Sequence, residues 1–118
     1  MGGRITKIME PPVAMNEWDS LQREAIRIRM SLDGLIKDME KSPINDYEQQ
    51  YSLISWQWQI VYPMLLQIIK KGHVRNIGES VEWCKHMQDE IYGLAKRYLE
   101  LRIKKTDEKE EPLLMDQR

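Results

Sequence analysis

The side chains best equipped for chemistry crowd into one stretch, residues 73–90: His73, Glu79, Glu82, Cys84, His86, Asp89 and Glu90. A thiol beside an imidazole suggests nucleophilic catalysis or a metal site. The spacing opposes both. Cys84 and His86 are two residues apart, and on a helix such residues do not share a face. Zinc takes about four convergent ligands, and no second pair exists to complete a set. The expectation is a core cysteine and solvated histidines, with no catalytic residue, no metal and no cofactor.

Glu79 and Glu82 do share a helix face, and paired carboxylates can hold magnesium. All-α nucleotide pyrophosphohydrolases use such pairs, but on two helices. Here the second helix offers only Asp46 and Glu48, at its start, so that pattern is not met. Both glutamates fall in the first turns of a helix, where acids complement the dipole. Neither a glycine-rich phosphate loop nor a nucleophile elbow is present. The chain reads as non-enzymatic.

These residues must be carried by elements, and the elements are helices. Tyr47, Tyr51, Ile54, Trp58, Val61, Leu65 and Ile68 follow one another at alternating steps of four and three. That is a helical stripe. It overrides the short strand-like alternation in "SWQWQ". Ser52, Ser55, Gln57, Gln59 and Gln67 interrupt the run, so it is no membrane span. Asp46 with Gln49 suits an N-terminal capping box, and Lys70, Lys71 and Gly72 suit a C-terminus. Pro63 predicts a kink, or a break into two segments.

A first helix carries Trp18, Leu21, Ala25, Ile28, Leu32, Leu35 and Met39, with Asn16 as expected N-cap and Ser42-Pro43 as the stop. A third carries Ile77, Val81, Cys84, Met87, Ile91, Leu94, Tyr98 and Leu101, with Asn76 and Glu79 as a capping box. The connections are short, so neighbours should run antiparallel. The expected fold is all-α: an antiparallel three-helix bundle with heptad-like seams, or four segments if Pro63 breaks the second helix. The bundle should occupy 15–105. Residues 1–14 read as a flexible arm and 106–118 as a flexible charged tail.

Composition agrees with one small packed domain. Of 118 residues, 42% are apolar and 31% charged, and the formal net charge is −1, which disfavours a dedicated nucleic-acid binder. One cysteine excludes an internal disulfide and points to a reducing, cytoplasmic setting. "MGGRITKIMEPPVA" lacks the apolar stretch of a secretory signal. It does match a myristoylation pattern at Gly2 and Thr6, with Arg4 and Lys7 nearby, a weak hint of membrane anchoring.

The second helix has more apolar surface than one seam requires. Leu53, Trp56, Ile60 and Met64 form a second stripe, rotated away from the first. A helix apolar nearly all round is buried by its own chain or by a partner. Trp56 is the expected anchor of a protein interface, with Leu53, Ile60 and Met64 beside it. Ile26 and Met30 on the first helix read as a second contact.

Charge is uneven along the chain. Residues 70–105 hold nine Lys/Arg against five Asp/Glu, and 106–118 hold two against five. Lys96, Arg97, Arg102, Lys104 and Lys105 are therefore the alternative, a nucleic-acid contact. The same cations also complement a helix C-terminus. The leading expectation is a contact protein that pairs with itself or with a larger protein: a regulator, inhibitor, chaperone or complex subunit of the kind found among phage and viral proteins.

Overall fold

The computed structural model describes residues 10–43 and 45–116, with side chains placed over 16–43 and 45–104. It is a bundle of three helices: α1, Glu10–Lys41; α2, Glu48–Lys70; and α3, Ile77–Asp116. No strand occurs among the described residues. Each helix packs on the other two.

Cross-helix pairs fix the directions. Trp18 meets Trp83, Arg29 meets Glu90 and Glu40 meets Arg97, so α1 and α3 run the same way. Glu48 meets Arg102, Tyr51 meets Tyr98 and Trp58 meets Gln88, so α2 runs opposite to α3. The topology is up-down-up, as two short connections demand.

The core consists of the three seams. Ala25, Ile28, Leu32, Leu65, Cys84, Met87 and Tyr98 are all 2% exposed or less. Ile36 and Ile69, one position off their seams, are buried as well. Every helix faces two neighbours, so each apolar face must be wider than a two-helix seam. Ile77 fits the period but is 54% exposed. It is the first residue of α3, and the seam expectation fails there because the packed part of the bundle begins a turn later.

The ends follow from local chemistry. The N–H of Glu79 donates to Asn76 Oδ1 at 2.9 Å, as expected for an N-cap. Helix α2 starts one residue later than expected, with Tyr47 and not Asp46 at its N-cap position; Asp46 Oδ1 accepts the N–H of Glu48 at 3.0 Å, not that of Gln49 as a capping box would have it. At the far end of α2, Gly72 takes φ 77°, its N–H bonds the Ile69 carbonyl, and the His73 N–H bonds the Ile68 carbonyl. This is a Schellman turn, and glycine adopts its left-handed position without a Cβ penalty.

Two boundaries differ from expectation. Asn16 is not an N-cap, because α1 begins six residues earlier, at Glu10. Pro11 and Pro12 sit in its first turn, where an N–H is not needed. Helix α3 runs on through 106–116, past the boundary that composition suggested at Lys105. Pro63 leaves α2 unbroken. Pro63 and Gln59 are both exposed, so the Gln59 carbonyl that loses its partner faces solvent, where hydration can satisfy it. The four-segment alternative is excluded.

Candidate protein interaction surface

With the Trp58–Val61–Leu65 seam turned inward, helical geometry sends Leu53, Trp56, Ile60 and Met64 to the opposite side of α2. They are 55%, 59%, 42% and 47% exposed. Leu66, at 42%, lies on the flank. Between its charged end residues Glu48 and Lys70, the remaining exposed positions of α2 are Gln49, Gln50, Ser52, Gln59, Pro63 and Gln67. From Gln49 to Ile69 the helix carries no charged residue at all. In a chain that is 31% charged, an outward face without a single charge is distinctive. Interface cores are depleted in charge and enriched in Trp and Met.

The two indoles of "SWQWQ" therefore have opposite roles. Trp58 is 7% exposed, and its Nε1–H donates to Gln88 Oε1 at 2.6 Å. Its ring lies 5.2 Å from that of Tyr62. Trp56 faces outward.

Ile26 and Met30 are exposed too, at 36% and 63%, but not beside the α2 stripe. Met30 borders the groove between α1 and α3, with Arg29, Asp33, Glu90 and Leu94 around it. Ile26 is one turn earlier on the same helix. The expected second contact is thus a separate small patch crossed by the Arg29–Glu90 ion pair, 2.9 Å.

A further set was not singled out from the sequence. Tyr92, Leu99 and Ile103 of α3 are 69%, 48% and 61% exposed. Their steps of seven and four put them on one line, so the period that found the seams also marks this line. Tyr92 edges a cleft of about 150 Å³ between α2 and α3, with Ser55, Gln59, Gln88 and Ala95.

Two of the basic residues turn to different neighbours. Arg97 reaches Glu40 of α1 at 3.1 Å, with Glu100 at 3.8 Å, and Arg102 reaches Glu48 of α2 at 3.2 Å. The two arginines thus serve different grooves. Lys96 and Lys104 are exposed. The side chain of Lys105 lies outside the described residues, as do Gly2, Arg4, Thr6 and Lys7.

Cys84 is 1% exposed, and burial pushes its thiol up to about 11, so it is no ready nucleophile. His86 points to solvent, with Nε2 3.3 Å from a carboxylate oxygen of Glu90. Glu79 and Glu82 are exposed in the first turns of α3. Among the described residues, no group of three or more His, Cys, Asp or Glu converges as a metal site would, and no helix is long and apolar enough to cross a membrane.

No protein-family model, characterised protein or solved structure matches the chain, so its own surface chemistry is the available guide to function.

Proposed function

We propose that the protein acts by protein–protein contact, with the outer face of α2 as its docking surface and a second copy of the chain as its first partner. The roles that fit are those of a small regulator, inhibitor, chaperone or complex subunit. One observation carries this reading: Trp56, 59% exposed, stands at the centre of an outward face that bears no charge. Leaving so much apolar surface in water is unfavourable, and covering it is worth about 25 cal/mol per Å² before the costs of association. The nucleic-acid alternative draws less support, since Arg97 and Arg102 are each held by a carboxylate on a different side of α3.

Light scattering on wild type beside Trp56→Ala, at low and high salt, tests the proposal. The expected result is a wild-type dimer at both salts and a folded, monomeric variant. Loss of a central Trp costs about 2 kcal/mol or more, roughly thirtyfold in Kd. A wild-type chain that stays monomeric at every concentration overturns the self-association. Association with nucleic acid that weakens steeply with salt and survives Trp56→Ala would establish the alternative.

A further inference from the structure

We infer that two copies pair through α2 in an antiparallel sense, about a twofold axis passing between Trp58 and Gln59. The inference rests on the self-association proposed above and adds the direction and register of the pairing. Two independent features of α2 lead to it.

The first is charge. The uncharged face is bracketed by an acid at one end, Asp46, and by bases at the other, Lys70 and Lys71; Glu48 beside Asp46 is taken up by Arg102 of its own chain, at 3.2 Å. All three bracketing residues are exposed. Antiparallel pairing sets Asp46 of one copy against Lys71 of the second, with Lys70 close by. Parallel pairing would set acid against acid and base against base. The helix dipoles add to the same preference.

The second is the spacing of the stripe. A twofold contact is self-complementary: if one residue meets another, the reverse contact also holds. Leu53 and Met64 lie equally far from the midpoint between Trp58 and Gln59, and so do Asp46 and Lys71. Trp56 with Ile60 is centred within half a residue of it. One axis therefore matches both apolar pairs and the Asp46–Lys71 charge pair. Trp56 of each copy lies against Ile60 of the other, and Leu53 against Met64.

Gln49 and Gln67 serve to test it. Both are exposed, both lie on the stripe side of α2, and replacing them leaves every apolar residue in place. They are eighteen residues apart, about 27 Å along the helix. Antiparallel pairing brings Gln49 of one copy beside Gln67 of the other, whereas parallel pairing brings each beside itself. Gln49→Cys and Gln67→Cys are prepared separately, mixed, and treated with a short bis-maleimide. Wild type is the control for Cys84, whose burial protects it.

Cross-linked dimer in the mixture, and none in either variant alone, is the expected result. Self-cross-linking of each variant alone means parallel pairing; it overturns the inference and leaves docking through α2 intact. A dimer by light scattering with no cross-link in any sample overturns both, because the copies then meet elsewhere. A monomer by light scattering also overturns both. Reversing Lys70 and Lys71 together to Glu gives a check independent of cysteine chemistry. Antiparallel pairing predicts about fivefold weaker association. An unchanged affinity would contradict it, since parallel pairing merely exchanges one repulsion for another.

Discussion

The rings of Tyr51 and Tyr98 stack with centroids 3.8 Å apart and planes inclined by 3°, joining α2 to α3 near the end where Glu48 meets Arg102. Tyr98 is 1% exposed and Tyr51 half-buried. Tyr98→Ala should cost about 3–5 kcal/mol, as for other buried aromatics cut to alanine. Tyr51→Ala should cost less. The double variant should fall short of the sum by about 0.5–1.5 kcal/mol, the coupling typical of an aromatic pair. Urea denaturation of the four proteins measures this, and strict additivity would mean that the stack contributes only its area.

Trp58 and Gln88 form a second tie between the same helices, through one hydrogen bond. Gln88→Leu leaves the buried indole N–H without its acceptor, which should cost about 1–3 kcal/mol. Trp58→Phe removes the donor and some volume. Adding Gln88→Leu to Trp58→Phe should then cost much less than Gln88→Leu alone, again by urea denaturation.

Alkaline pH should destabilise the fold. Burial raises the Cys84 thiol from its ordinary 9.0 to about 11, and raises the phenols of Tyr51 and Tyr98 as well. A folded-state value above the unfolded one means that the native protein keeps a proton the unfolded chain has released. The contribution is fully present below about pH 9 and is lost as pH rises through about 11. For the thiol alone it amounts to about 2–3 kcal/mol. Denaturation of wild type and Cys84→Ala across that range checks it. The gap between them should close toward the alkaline end, and a constant gap would show that the thiol does not titrate with unfolding.

Two glycines should respond with opposite signs. Gly72 sits at φ 77°, so Gly72→Ala forces an L side chain into the left-handed region at a cost of about 1–2 kcal/mol. Gly93 lies inside α3 with no atom within 4 Å of an added methyl. Gly93→Ala should stabilise by about 0.5–1 kcal/mol. Thermal melts of the two variants give the comparison.

Much of this was legible in the spacing of apolar residues. Of the fifteen seam positions on α1 and α3, only Ile77 is exposed, and all seven traced across α2 are buried or half-buried. The prediction of Trp58 inward and Trp56 outward rests on the same period, since two residues differ by about 200° around a helix. The ends were harder to read. Residues 1–14 read as a flexible arm for want of a period, yet Pro11 and Pro12 fall in the first turn of α1, the one place in a helix that tolerates them. The cations at 96–105 read as a patch along the sequence, but two of them are drawn to different helices. Arg97 ends beside α1 and Arg102 beside α2, each against a carboxylate more than fifty residues away in the chain. No local pattern announces such pairs.

The placement of the four indoles makes the chain its own optical reporter. Trp18 and Trp58 are buried, Trp83 is half-buried against Trp18, and Trp56 alone stands mostly in water. In the separate chain a dissolved ion such as iodide should therefore extinguish one long-wavelength component of the fluorescence and leave the bluer emission largely intact, and pairing through α2 should remove that access. Any molecule that covers the α2 face will shield that component. Occupancy of the surface is then readable in unmodified protein, by light alone.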